Sequence, residues 1–68
     1  MIFVDSSSIE AIGYDRDSAE LHVRFLKSGE TYVYYNVDEV VYAELMQSDS
    51  KGLFLNRRIK GTYDYGKL

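Results

Sequence analysis

Alternating apolar and polar residues mark the first half of the chain. Residues 19–25 alternate with a period of two, which is typical of a strand with one buried face. Residues 31–35 are β-branched or aromatic and predict the strongest strand of the chain. Residues 9–14 predict a further short strand, with Gly13 as a weak point or a bulge. Because the connections are short, we expect the three strands to form an antiparallel meander.

A tight turn at residues 27–30 sets the predicted register of the second hairpin. This register places Val23 opposite Tyr34 and makes the side that includes both residues the core face. The opposite side is amphipathic and carries four residues: His22, Arg24, Val33 and Tyr35.

The hydrophobic period changes in the second half of the chain. At about 100° per residue, the apolar residues of 38–47 fall within an arc of roughly 140°, which predicts an amphipathic helix. Asn36 is the candidate for its N-cap. Ser50 caps a second predicted helix that runs to about Lys60. The extended, aromatic stretch 62–66 either packs back on the domain or frays.

These elements predict an α+β fold: a three-stranded antiparallel β-meander followed by two α-helices packed on one face of the sheet (βββαα). The chain is expected to form a single domain over residues 1–68, with a folded core of about residues 4–65. The predicted buried residues combine the apolar strand face with the two helical stripes: Leu21, Val23, Phe25, Tyr32, Tyr34, Val41, Leu45, Leu55 and Ile59.

Composition narrows the class of protein. The chain has 68 residues and no Cys, so no disulfide or thiolate chemistry is available. Its 46% hydrophobic and 28% charged residues are ordinary for a water-soluble domain. No apolar run approaches the ~20 residues of a membrane span, and the N-terminus lacks the pattern of a signal peptide. We therefore expect a cytoplasmic protein without a membrane partner.

Charge is distributed unevenly along the chain. Residues 1–49 carry three Lys or Arg against ten Asp or Glu, a net of −7, whereas residues 50–68 carry five against one, a net of +4. The total of −3 argues against indiscriminate binding of polyanions. A local basic patch near the C-terminal end remains compatible with this pattern.

The sequence offers no recognised catalytic machinery. It lacks zinc-hydrolase, nucleophile-elbow and phosphate-loop motifs. Its single histidine, His22, excludes a multi-histidine metal site. We expect no catalytic residues, no metal site and no cofactor, and hence a protein that is not an enzyme.

The basic second helix provides the first group of candidate binding residues. Arg57 and Lys60 are three residues apart and are expected to face outward together, where their charges suit phosphate oxygens. Arg58 and Lys51 flank them, and Asn56 adds a hydrogen-bonding amide. The alternative interpretation is a solvated helix face.

The second group lies on the amphipathic face of the sheet. Tyr35 is predicted beside His22 and Arg24, where an aromatic ring next to a guanidinium can stack a base. Ordinary cross-strand pairing on a solvated face explains the same residues. Tyr32 and Tyr34 point the other way and are interpreted mainly as core, although a functional role for them stays open.

The order and spacing of several short motifs resemble the KTSC domain. The resemblance covers about residues 4–65 and rests on Val4-Asp5-Ser6-Ser7, Ile12-Gly13-Tyr14-Asp15, Leu21-x-Val23-x-Phe25, Tyr32-x-Tyr34, Val37 and Ser50-x-Gly52-x-Phe54-Leu55-Asn56-x-x-Ile59. Asp38 departs from the pattern, because this family often has proline there. The family is named for the C-terminal domain of some lysyl-tRNA synthetases and also occurs as a stand-alone small protein in bacteria and phages. The function of the family is unknown. Its attachment to a tRNA synthetase implies RNA binding only by association.

Three functions therefore stay open at this point. The first is a non-enzymatic module that binds RNA, such as a tRNA-like molecule, or another nucleic acid through the basic helix and the exposed Tyr and Arg residues. The second is a protein that sequesters a small nucleotide in a homo-oligomer, since a chain this small encloses a ligand pocket only with difficulty. The third is a protein–protein interaction module.

Overall fold

Five antiparallel strands form one sheet in which the strand order follows the chain. The computed structural model describes all residues from 1 to 68. The strands are β1 (Ile2–Phe3), β2 (Ile9–Asp15), β3 (Glu20–Phe25), β4 (Thr31–Tyr34) and β5 (Tyr65–Lys67). The prediction of an α+β fold with two helices is confirmed. The prediction of a three-stranded sheet is wrong, because β1 and β5 extend the predicted meander at its two edges.

Neither edge strand is long enough to carry a complete strand pattern of its own. β1 has only two residues, both exposed, and β5 has three residues centred on Gly66, a poor strand former. Each adopts its conformation by pairing with a longer strand: Ile2 lies opposite Ile12, and Tyr65 lies opposite Tyr34. Hydrogen bonding to a neighbouring strand, rather than intrinsic propensity, therefore forms both edges.

The first helix, α1 (Glu39–Gln47), begins one residue later than its predicted bounds. Its N-cap is Asp38, whose Oδ1 accepts from the Val40 N–H at 3.3 Å. The prediction of Asn36 as the cap is wrong, because Asn36 adopts a left-handed conformation with φ 60° and turns the chain out of β4. No helix in the structure is long and apolar enough to cross a membrane.

The second helix changes its hydrogen-bond pattern midway. It begins as α2 (Lys51–Phe54), where the Ser50 Oγ accepts from the Leu53 N–H at 3.3 Å, so the predicted cap is confirmed. It continues as one π-helical turn, Leu55–Ile59, in which the Lys60 N–H donates to the Leu55 oxygen five residues back. This wider turn redirects the side chains that follow it.

The β3–β4 hairpin is two residues out of its predicted register. Val23 lies opposite Tyr32, and Leu21 lies opposite Tyr34. The cause is a turn of four residues, 26–29, closed by the Phe25 N–H donating to the Glu30 oxygen at 2.9 Å. Because side chains alternate with a period of two, a shift of two residues leaves the predicted faces unchanged.

One face of the sheet packs against the helices and forms the core. Its fully buried cluster consists of Ile9, Ile12, Leu21, Val23, Tyr34, Val37, Leu45, Leu55 and Ile59. Three residues of the predicted core are only half-buried: Phe25, Tyr32 and Val41. Helix α1 is held to the sheet by Tyr14, whose ring stacks on Tyr42 at 4.7 Å and whose hydroxyl donates to the Val37 oxygen at 2.6 Å.

Truncation of Leu45 tests this assignment of the core. Leu45 is fully buried on α1, so Leu45→Ala leaves a cavity and should lower the free energy of unfolding by about 2–5 kcal/mol. Val40 lies on the same helix with 64% of its surface exposed, and Val40→Ala is the matched control, expected to change stability by under about 0.5 kcal/mol. Urea denaturation measures both values. Equal losses in the two variants would contradict the assignment.

Candidate functional site

The face of the sheet opposite the helices carries His22, Arg24 and Tyr35, as the sequence predicts. His22 and Arg24 lie on β3, and both basic side chains have a carboxylate partner there. The His22 Nε2 lies 3.2 Å from the Glu20 Oε1, and the Arg24 Nη1 lies 3.7 Å from the Glu10 Oε2. These partners weaken the attraction of this surface for a phosphate group.

The Tyr35 ring is partly used to cover the backbone of β5. The Tyr35 hydroxyl oxygen lies 3.1 Å from the position that a Cβ on Gly66 would occupy. The backbone N–H of Tyr35 donates to the Asp64 oxygen at 2.9 Å. Only 38% of the surface of Tyr35 is exposed. The residue therefore shields a glycine in an edge strand, and only part of its ring remains available to a ligand.

The predicted pair of Arg57 and Lys60 is not brought together on one cleft. Arg57 and Arg58 line a cleft of about 360 Å³ beside α2, whereas Lys60 lines a different one. The π-helical turn and the extended backbone of Lys60, with ψ 132°, separate the two side chains. Arg58 is itself engaged, with its guanidinium 5.0 Å from the Phe54 ring centroid and 3.3 Å from the Glu44 Oε1.

The two remaining predicted residues lie apart from each other. Lys51 donates to the Ser48 oxygen at 3.3 Å and lines a polar depression that also contains Asp5 and Asp49, so acidic groups surround its charge. Asn56 is exposed on the π-helical turn, next to Arg57 in the chain. Of the two arginines that line the cleft beside α2, Arg58 pairs with Glu44, whereas Arg57 has no ion-pair partner within 4 Å.

A cleft on the helix side of the sheet combines tyrosine rings with a lysine. This tyrosine cleft has a volume of about 330 Å³ and is lined by Tyr32, Tyr34, Lys60, Gly61 and Tyr65. Tyr65 is 62% exposed, so the helices leave this end of the sheet face open. Gly61, with φ 81°, reverses the chain after the second helix and leads it towards β5.

The rings of the tyrosine cleft are arranged in a graded series from buried to exposed. Tyr65 stacks on Tyr32 with centroids 5.7 Å apart and planes 16° from parallel, and its centroid lies 5.9 Å from that of Tyr34. Burial, with smaller contributions from Tyr32 and Tyr65, raises the pKa of Tyr34, so its hydroxyl stays protonated at neutral pH. The cleft thus offers one free aromatic surface on Tyr65, supported from behind by two further rings.

Sequence reasoning missed Tyr65 because it did not predict β5. The sequence predicts the correct face for Tyr32 and Tyr34, but Tyr32, which it predicts as core, is half-buried. A signal was present in the alternation of Tyr63 and Tyr65, which matches that of Tyr32 and Tyr34. No group of three or more His, Asp or Glu side chains that could hold a metal ion occurs in the structure.

Comparison with known proteins identifies the family. The sequence model of the KTSC domain matches residues 5–63. The chain belongs to the KTSC domain family. A small protein of Tsukamurella paurometabola is 44% identical to this KTSC domain over 57 residues, which is 84% of each chain. The crystal structure of a KTSC domain protein from Yersinia pestis is 39% identical and superposes with a TM-score of 0.92, covering 97% of this chain and 92% of that one.

These matches confirm the resemblance seen in the sequence, and they bear on the site in one respect. The matched range 5–63 includes Tyr32, Tyr34 and Lys60 but ends before Tyr65. The supporting rings and the lysine of the tyrosine cleft therefore lie within the family segment, whereas its exposed ring lies just outside.

Substitution of two tyrosines should distinguish a ring that stabilises the fold from a ring of the tyrosine cleft that is free to contact a ligand. Tyr34 is 1% exposed, so Tyr34→Ala should cost about 3–5 kcal/mol of stability. Tyr65→Ala removes an exposed ring and should cost only about 1 kcal/mol, the typical value of an aromatic pair. Thermal and urea denaturation of both variants provide the measurement. A Tyr65→Ala protein as unstable as Tyr34→Ala would show that Tyr65 is part of the core.

Proposed function

We propose that this KTSC domain is a non-enzymatic module that binds single-stranded RNA by stacking a base in the tyrosine cleft. The observation that carries the proposal is that the exposed ring of Tyr65 and the side chain of Lys60 line one open cleft. Stacking on an aromatic side chain combined with a nearby cation is the usual way in which proteins hold single-stranded nucleic acid.

The position of the rings in the sheet supports this role. Tyr32 lies on β4 and Tyr65 on β5, and both strands are held by backbone hydrogen bonds, so the aromatic surface is rigid before a ligand arrives. Rigid elements position a site more accurately than loops do. The cost of ordering the site on binding is correspondingly small.

The cations of the C-terminal segment supply the phosphate contacts in this proposal. Lys60 lies at the tyrosine cleft, and Arg57 and Arg58 lie on the neighbouring helical turn, with Lys51 and Asn56 as more distant contributors. Because the net charge of the chain is −3, we expect weak binding with a modest dependence on salt.

We place the stacking site in the tyrosine cleft rather than at Tyr35, the position that the sequence favoured. On the outer face, which is the face of the sheet opposite the helices, His22 and Arg24 each pair with a glutamate. Tyr35 is also less exposed than Tyr65. A tRNA-like molecule is large enough to reach both faces, so Tyr35 is retained as a secondary position in the binding test.

A small nucleotide bound by a homo-oligomer and a protein partner are the two alternatives. A nucleotide would use the same ring and the same lysine. A protein partner is favoured by the exposed Phe3 and Leu53, which are 74% and 51% exposed. Both alternatives predict that RNA strands bind no better than a mononucleotide does.

We also propose that the domain does not catalyse a reaction, because it has no recognised catalytic motif and only one histidine. Incubation with RNA and nucleotides, followed by chromatography of the products, tests this. Turnover that disappears on His22→Ala or on substitution of one acidic residue, in a variant that stays folded, would contradict it.

The stacking proposal predicts different effects for substitutions of three residues. Tyr65→Ala should weaken the binding of a fluorescein-labelled 12-nucleotide RNA by about 1–3 kcal/mol, with the salt dependence unchanged. Lys60→Met should lower the slope of log K against log salt by about 0.7, the value of one phosphate contact in a single strand. Tyr35→Ala tests the secondary position on the outer face and should weaken binding less than Tyr65→Ala does. Fluorescence anisotropy at several salt concentrations measures all three.

The contradicting outcomes are distinct. If Tyr35→Ala loses affinity and Tyr65→Ala does not, stacking occurs on the outer face. If a strand, a tRNA and a mononucleotide all fail to bind the wild-type protein, the interaction-module alternative replaces the proposal. The Arg57→Ala variant, measured in the same titration, reports whether the cleft beside α2 contributes a second phosphate contact.

A further inference from the structure

A second cleft adjoins the tyrosine cleft and shares part of its wall. This Phe25 cleft has a volume of about 240 Å³ and is lined by Phe25, Ser28, Glu30, Tyr32 and Lys60. Tyr32 and Lys60 also line the tyrosine cleft. The two clefts therefore lie side by side, with one aromatic ring and one ammonium group between them.

The Phe25 cleft has an aromatic corner suited to a flat ring. Phe25 and Tyr32 have centroids 5.5 Å apart and planes at 88°, so their rings meet as two walls of a right angle. The Lys60 Nζ lies 5.2 Å from the Phe25 centroid, over the ring. Because Lys60 lines both clefts, its ammonium is placed where the phosphate between two consecutive nucleotides would pass.

The polar groups of the Phe25 cleft are held in place by neighbours. The Glu30 N–H donates to the Ser28 Oγ at 3.2 Å, which fixes the turn that carries both side chains. Lys67 on β5 forms an ion pair with the Glu30 Oε2. This hydrogen bond raises the pKa of Lys67, so the lysine stays protonated at neutral pH. The Glu30 carboxylate is therefore anchored through Oε2, which keeps a second acceptor site, while Oε1 has no partner within the protein.

The hydrogen-bonding properties of these groups select among the bases. An ionised carboxylate only accepts hydrogen bonds, whereas a serine hydroxyl both donates and accepts. Guanine presents two adjacent donors, N1–H and the N2 amino group, beside the acceptor O6. Adenine and cytosine each present one amino group beside a ring nitrogen that accepts, and the N3–H of uracil lies between two carbonyl oxygens. Guanine is the base whose edge matches Glu30 and Ser28 together.

We propose that the Phe25 cleft binds guanine in the nucleotide adjacent to the one stacked in the tyrosine cleft, with Glu30 as the residue that determines this specificity. Glu30 accepts from N1–H and N2 of the base, Ser28 donates to O6, and Lys60 contacts the phosphate between the two nucleotides. The inference rests on the proposed function and adds base selectivity to it.

The test compares labelled 12-nucleotide strands of uridine that carry G, A, C or inosine at one central position. The wild-type protein should bind the guanine strand about tenfold more tightly than the others, in the range of one bidentate base contact. Inosine lacks the N2 amino group and should lose most of this gain. Glu30→Gln should abolish the preference for guanine while leaving the affinity for the all-uridine strand unchanged or slightly higher.

Glu39→Gln is the matched control, because it removes the same charge from an exposed glutamate on α1 that pairs with Arg16. It should retain the preference for guanine. Equal affinities for all strands in the wild type, or a preference that survives Glu30→Gln, would overturn the inference while leaving RNA binding intact. Absence of binding to every strand would overturn the proposed function as well.

The same assay distinguishes an RNA strand from a free mononucleotide as the source of the guanine. Unlabelled GMP and a DNA strand of the same sequence serve as competitors. Weak competition by GMP supports the arrangement of two consecutive nucleotides. Competition by GMP at the concentration of the RNA strand itself would overturn that arrangement and favour a mononucleotide ligand.

Discussion

The pairing of β5 with β4 is the interaction on which the proposed site depends. It places Tyr65 opposite Tyr34, and both rings lie on the face of the sheet that also carries the core. It also brings Lys67 to the carboxylate of Glu30 on the turn before β4. Without this pairing, Tyr34 would lose a neighbour at the edge of the core, the tyrosine cleft would lose Tyr65, and Glu30 in the Phe25 cleft would lose its ion pair with Lys67.

The small size of the domain explains why part of the sheet face stays open. A chain of 68 residues forms only two short helices after its four N-terminal strands, and they cannot cover a five-stranded sheet completely. Large aromatic side chains reduce the cost of this gap. Tyr32 is half-buried, supports Tyr65 and contributes to both clefts, so one residue serves packing and the candidate binding surface together.

The charges of the molecule fit the weak and selective binding that we propose. The basic side chains His22, Arg24 and Arg58 each have a glutamate partner, which limits the general attraction of nucleic acid. Lys60 instead lies over an aromatic ring at the boundary of the two clefts. In the proposed site, this single cation and the carboxylate of Glu30 would contribute more to the choice of ligand than to affinity.

The sequence by itself determined the elements whose patterns are local. The three central strands, both helices, the Ser50 cap and the core face follow from periodicity and from side-chain chemistry within a few residues, and the family follows from short motifs in order. Tertiary structure decided the rest. β5 forms only when the chain returns to β4. Lys60 lines a cleft with Tyr65, and not with Arg57, because a π-helical turn and Gly61 redirect the backbone. Such choices depend on packing between segments that are distant in sequence, which no local period records.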